Sequence, residues 1–201
     1  MGAEKISRRV RILRTAERMF AQHGFDSVGM REIASKAEVS VALLTYHFAT
    51  KENLYREIFL DRSEVLSERL ALLKTVEFGR EDTIAQIVAA FVEPQMELRT
   101  TPEGLAFAQL LAREATDPSS NSRGIIAELY DPFALAFIEA LQRARPDLSP
   151  DTVRWNYLFA VSAISMISVD DRALRLGVSA SLTVADTAGI LKEFLVSAFS
   201  K

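Results

Sequence analysis

The chain has 201 residues, 49% hydrophobic and 25% charged, an ordinary globular makeup with room for one large domain or two small ones. It has no cysteine, which excludes disulfides, thiolate metal sites and cysteine nucleophiles, and two isolated histidines, His23 and His47, that cannot form an H-E-x-x-H site. The net charge of −3 hides an asymmetry: 11 Lys and Arg face 8 Asp and Glu through Arg62, and 13 face 19 beyond it. A basic head on an acidic body points to a polyanion met by the head alone, although chance scatter of surface charge accounts for it equally well.

Strand signals are nearly absent and helical periodicity is nearly everywhere, so the fold class is all-α. A first helix, about 5–23, puts Ile12, Ala16, Met19 and Phe20 on one stripe and ends at Gly24, where a positive φ is wanted. After the turn "FDSVGM" comes a short helix, about 30–37, with Met30, Ile33, Ala34 and Ala37 inward. The link "EVS" leads to a second short helix, about 41–46, and a long helix then runs from Thr50 to about Lys74. Beyond the break "EFGRED", helices are expected at about 81–100, 102–116, 122–144, 150–168 and 183–200. Thr101-Pro102, Ser149-Pro150-Asp151 and Thr183 with Asp186 mark three starts. Pro94 and Pro132 fall within apolar-periodic stretches and read as kinks, with a helix restart as the alternative at Asp131-Pro132.

The chain's opening, "MGAEKISRRVRIL", is basic without the apolar run of a signal peptide, and it misses the myristoylation pattern. No apolar run reaches membrane-spanning length. The expected location is the cytoplasm, with no membrane partner. No glycine-rich phosphate cradle and no metal-ligand spacing occur, so no cofactor and no metal are expected, and an enzyme would lack its nucleophile.

Two short helices joined by a tight turn, the second led by Ser40, form a helix-turn-helix at about 29–48. The second is too short to contribute much core. Only Leu44 and Phe48 need face inward, which leaves Val41, Ala42, Leu43, Thr45 and Tyr46 on a face that wants a partner. Small and apolar side chains at its leading end suit the major-groove floor, where methyl groups meet thymine methyls. Tyr46 and His47 follow where the chain would cross a phosphate ridge, and each offers a phosphate donor. Lys51 at the start of the next helix adds its ammonium to free backbone amides facing the same anion. A satisfied structural histidine is the plainer alternative for His47.

The stretch "RILRTAERMFAQHGFDSVGMREIASKAEVSVALLTYHFATKENLYREIF" resembles the N-terminal domain of the TetR family of bacterial transcriptional regulators. The resemblance covers about residues 6–66 and rests on "A..MF...G", "IA..A.VS", the aromatic-His-Phe and "KE.L". It implies an all-helical homodimer whose three-helix DNA-binding head, 6–66, hangs on a body, 67–201, that binds a small effector and dimerises. By this resemblance Arg31 touches backbone phosphate, Ser40, Val41, Ala42, Leu43 and Thr45 form the recognition helix, and Tyr46, His47 and Lys51 hold phosphates. Ala42 stands where Gly is frequent in the family and Thr45 where Tyr is frequent, a "TYHF" variant that bears on operator sequence. The implied function is a repressor that a small molecule releases from a palindromic operator, with co-repression as the opposite sense. An architectural DNA-binding protein without effector is the alternative, and the acidic, aromatic-rich body argues against it.

In the body, the helix at 102–116 is apolar nearly all round and should be central. Phe91, Met96, Phe107, Leu110, Tyr130, Phe133, Phe137, Trp155 and Phe159 can line a pocket there, although packed core is the plainer reading for any one of them. Arg113 and Glu114 form a polar pair, an effector anchor or, more simply, partners for each other. Ala160, Ser162, Ala163, Ser165 and Ser168 give the helix at 150–168 a small-residue stripe for close approach. With "TAGILKEFLVSAF" it offers two helices for a two-fold, four-helix interface, and packing within one chain is the alternative.

Overall fold

The computed structural model describes residues 7–170 and 172–200; Lys5 and Ile6, at the predicted start of the first helix, lie outside them. Among the described residues every regular element is helical. In chain order they are α1 Arg8–His23, α2 Met30–Lys36, α3 Val41–Phe48, α4 Lys51–Asp61, α5 Glu64–Lys74, α6 Thr83–Glu97, α7 Pro102–Thr116, α8 Ser120–Arg123, α9 Asp131–Ala144, α10 Pro150–Val169, α11 Arg172–Arg175 and α12 Val184–Ser200. No helix among the described residues is long and apolar enough to cross a membrane.

Side-chain oxygens set half of the twelve α-helix starts among the described residues. Ser7, Ser40, Thr50, Thr101 and Ser149 each accept from the backbone N–H three residues on, which satisfies a donor the helix itself cannot. At α12, Thr183 and Asp186 cap reciprocally: each backbone N–H donates to the other's side chain. Gly24 ends α1 at φ 79, the conformation expected of it. Gly104 serves close approach instead, since a Cβ there would lie 1.9 Å from the Leu98 carbonyl oxygen.

The chain departs from the expected helices in two places. The long helix at 50–74 is broken at Arg62 and Ser63, whose N–H groups reach back only three residues, to Phe59 and Leu60. Arg62 turns its guanidinium onto the fully buried Glu17 of α1, at 2.9 and 2.8 Å, and that anchor fixes the turn between α4 and α5. The helix expected at 122–144 is interrupted as well. Gly124, left-handed at φ 69, stops α8, and a π-helical turn, Ile126–Tyr130, precedes α9. The Asp131 N–H bonds five residues back to Ile126, and Pro132, which has no N–H, sits in the first turn of α9; this is the restart and not a kink. α6 runs on through Pro94 to Glu97 and then tightens into a 3-10 turn, Leu98–Thr100.

Two apolar cores result. The first joins α1 to α4 around Ile12, Phe20, Ile33, Leu44, Phe48 and Phe59, and is completed from the body by Phe107 and Leu110 of α7 and by Ile125. The second fills the body between α6, α9, α10 and α12 around Ile87, Phe91, Phe137, Tyr157 and Leu195. α7 therefore belongs to both halves, because its other flank packs on α10.

Candidate nucleic-acid interface and body cavity

Within the helix-turn-helix, the turn holds Glu38 at φ 53, and its carbonyl accepts from Arg11 Nη2 at 3.2 Å. Ser40 then starts α3, which is fixed by two side chains alone, Leu44 and Phe48, both essentially inaccessible. At roughly 2 kcal/mol for each large apolar side chain buried, these two outweigh the ordering of one short helix only with help from its ends. That help is present: Ser40 caps the start, and Asn53 Nδ2 of α4 donates to the Phe48 carbonyl at 2.9 Å. The remaining face is open, with Val41 42% and Tyr46 83% exposed, Ser40, Ala42 and Thr45 alongside them, and Leu43 half-buried.

His47 is half-buried between the rings of Tyr46 and Phe48. Lys51 opens α4 as expected, but its ammonium is drawn back over the Phe25 ring at 4.3 Å and toward the Asp26 carbonyl at 3.5 Å. Val41, Ala42, Thr45 and Tyr46 of α3 are thus open to solvent, and Arg31 is exposed in the first turn of the helix before it.

The polar pair expected in α7 does not form. Adjacent helical residues point about 100° apart. Arg113 donates to the Ala21 and Gln22 carbonyls at the C-terminus of α1, at 2.6 and 3.2 Å. Glu114 instead points into the head–body junction, fully buried, where it accepts from Tyr55 at 3.0 Å, from Ser120 at 2.9 Å and from Arg123 Nε at 2.9 Å, with Arg123 Nη2 in ion-pair contact at 2.7 Å. Burial and the Glu114 carboxylate push the Tyr55 phenol well above the usual tyrosine range. The sequence carries little sign of this cluster, since Tyr55 lies 59 residues from Glu114.

The body contains a cavity of about 150 Å³ between α5, α6, α7, α9 and α10. Of the side chains expected to line it, Phe91, Tyr130 and Phe133 do. Phe137 does not line it but packs edge-on against Phe91 and tilted against Phe133, and Met96 is buried in the body core away from the cavity. Phe107 and Leu110 face the head instead, and Arg113 caps α1. Trp155 and Phe159 are on the outside, 59% and 62% exposed, because α10 turns Val153, Tyr157, Ala160, Ile164 and Ser168 inward. Ala160 and Ser168 thus pack within the chain, and the outer surface of α10 is carried by large apolar groups, Trp155, Phe159 and Met166, with Ile190 and Phe194 exposed on α12. Most of the remaining wall was not expected from the sequence, among it Gln95, Tyr157, Ile164 and, above all, Arg69. Arg69 carried a readable signal: Leu66, Arg69, Leu70 and Leu73 fall at the spacing of a buried stripe, so an arginine occupies a core position.

An outward helix-turn-helix on an all-helical body with an internal cavity defines a helix-turn-helix regulator. A model described as bacterial regulatory proteins, tetR family, matches residues 12–58, and one described as tetracyclin repressor-like, C-terminal domain, matches residues 89–198. The chain belongs to the TetR family, whose members are transcriptional regulators and not enzymes. UidR of Escherichia coli (strain K12), an HTH-type transcriptional regulator, is 28% identical over 116 residues, 56% of this chain and 59% of its own length. RaaS of Mycobacterium tuberculosis (strain ATCC 25618 / H37Rv), an HTH-type transcriptional regulatory protein, is 38% identical over 77 residues, 37% of this chain and 35% of its own. The match thus spans less than two thirds of either relative. Among solved structures, a TetR-family regulator from Bordetella parapertussis 12822 superposes with a TM-score of 0.69 at 20% identity, covering 96% of this chain and 95% of its own. The fatty acid degradation regulator FadR from Bacillus halodurans gives 0.71 at 13%, covering 96% and 97%. At these identities the structures share the fold alone.

Proposed function

We propose that the chain represses transcription in the bacterial cytoplasm by binding a palindromic operator as a homodimer, and that a small effector in the body cavity releases it. The reading rests above all on α3, a helix anchored by only two side chains that leaves Val41 and Tyr46 open. A protein that used α3 for its own core would not present that face to water. On this reading Ser40, Val41, Ala42, Leu43 and Thr45 form the recognition helix that meets base edges, while Arg31, Tyr46, His47 and Lys51 hold phosphates. The head is about 6–66 and the body 67–201. Trp155, Phe159 and Met166 on α10, with Ile190 and Phe194 on α12, give the second copy an apolar seat.

Selection from a random duplex pool tests this. Enriched duplexes should be palindromic, bound by two copies, with recognition helices about 34–36 Å apart. Failure to enrich any duplex over bulk DNA would remove the operator from the reading, and a monomer at micromolar concentration would remove the two-fold site.

A further inference from the structure

Arg69 is a charged side chain in a place built for an apolar one. It is 4% exposed, and its Nε and Nη2 find no hydrogen-bond acceptor among the described residues. Its guanidinium carbon lies 4.3 Å from the ring centroids of both Phe91 and Phe133 and 5.8 Å from that of Phe137. Aromatic rings stabilise the charge, but they leave those two N–H donors without acceptors. The groups acting on it electrostatically are the phenols of Tyr157 and Tyr130, and burial draws it down to about 10, so it remains a cation at neutral pH. The one carboxylate in the described cavity wall, Asp131, is exposed and makes no ion pair with it. A buried cation whose donors are unused is costly to keep, and most proteins pair it.

Arg69 opens onto the 150 Å³ cavity, together with Gln95, Tyr130 and Tyr157. None of these three side chains makes a hydrogen bond among the described residues. The other walls are mainly apolar, among them Phe133, Val161 and Ile164. A cavity near 150 Å³ holds about one benzene ring. We propose that the cavity takes a small, mostly apolar organic acid, whose carboxylate is held by the Arg69 fork and whose ring or short chain fills the apolar remainder. A carboxylate matches the planar donors of a guanidinium two to two and supplies the missing anion, with the phenols and the Gln95 amide as further donors. This rests on the reading of the cavity as the effector site and gives that site its ligand class.

The test uses the full chain and three probes of one size: benzoate, benzamide and benzylammonium, with chloride and acetate as controls lacking a ring. Calorimetric titration should rank benzoate on the order of tenfold or more tighter than benzamide, with benzylammonium weakest. Arg69→Met should abolish that preference and should melt no lower than the parent without ligand, because an uncompensated buried charge has been removed. Arg69→Lys, with charge but no fork, should retain only part of the preference. Benzamide or benzylammonium binding as well as benzoate would overturn the acid while leaving the cavity reading intact. Chloride competing as strongly as benzoate would reassign Arg69 to an inorganic ion and overturn it too. No binding by any ring compound at millimolar concentration would overturn both readings. The parent chain alone decides the ranking, so the outcome does not depend on the variants folding.

Discussion

The Tyr55 phenol of α4 donates a 3.0 Å hydrogen bond to Glu114 of α7, and both side chains are buried where the head meets the body. Glu114 is also held by Ser120 and Arg123, so a carboxylate from the body organises a contact that begins one turn into the helix carrying Lys51. Tyr55→Phe should lower stability by about 1–2 kcal/mol, since one acceptor site on a buried carboxylate is left empty. Glu114→Ala should cost more, about 3–5 kcal/mol, because it takes the acceptor from Tyr55 and Ser120 together and leaves part-buried Arg123 with only Asp117 as a carboxylate partner. Urea unfolding measures both; equal costs would show that the phenol and not the ion pair holds the junction.

The buried phenols give a prediction at alkaline pH. Tyr55 and Tyr130 are pushed above the usual range by burial, and Tyr157 is pushed up to about 12. Above pH 10 the unfolded chain releases protons that the folded chain keeps, so stability falls as pH rises through this window. Arg69, drawn down to about 10, acts in the opposite sense, so the informative comparison is parent against Tyr157→Phe. The variant's stability should fall less steeply between pH 10 and 12. An unchanged slope would mean that Tyr157 ionises normally in the folded chain.

For the proposed interface, Lys51→Ala should weaken all duplexes alike and flatten the salt dependence by roughly one unit of slope. Leu43→Ala or Thr45→Ala should instead shift base preference. Lys51 rests on the Phe25 ring and the Asp26 carbonyl, contacts its ammonium would exchange for a phosphate on binding. Sequence preference altered by Lys51→Ala at constant overall affinity would reverse these roles.

Gly104→Ala should destabilise by about 1–3 kcal/mol, because the new Cβ meets the Leu98 carbonyl, a backbone atom with nowhere to retreat. A thermal melt unchanged from the parent would show that the start of α7 can slide.

What the sequence made legible follows from physics that acts over short range. Caps at Thr101, Ser149 and Thr183, the Gly24 stop, and the inward pair Leu44 and Phe48 are all decided within a few residues, and the chain adopts them as expected. The pocket was harder to read because it depends on which way each helix is rolled. Trp155 and Phe159 are as apolar as Tyr157, yet α10 turns only the last of these inward. The break at Arg62 was hidden for a similar reason: its cause, Glu17, lies on another helix. Arg69 could have been found, as a charge on an otherwise apolar stripe.

That break changes what kind of machine the proposed regulator is. An unbroken helix over 50–74 would be a rod of nearly 40 Å, by the rise of about 1.5 Å per residue, and would carry any tilt of its far end straight to the head. The chain has an elbow instead, with α4 as the forearm and α5 as the upper arm, pinned at the joint by Arg62 on Glu17. On the proposed reading, torque from α5 would reach the head through that pin, with the packing of α1 on α7 as a second link between head and body. Loosening the pin, as Arg62→Gln would, should slacken the transmission while leaving both the grip on DNA and the grip on ligand intact, like a clutch disengaged between two working gears.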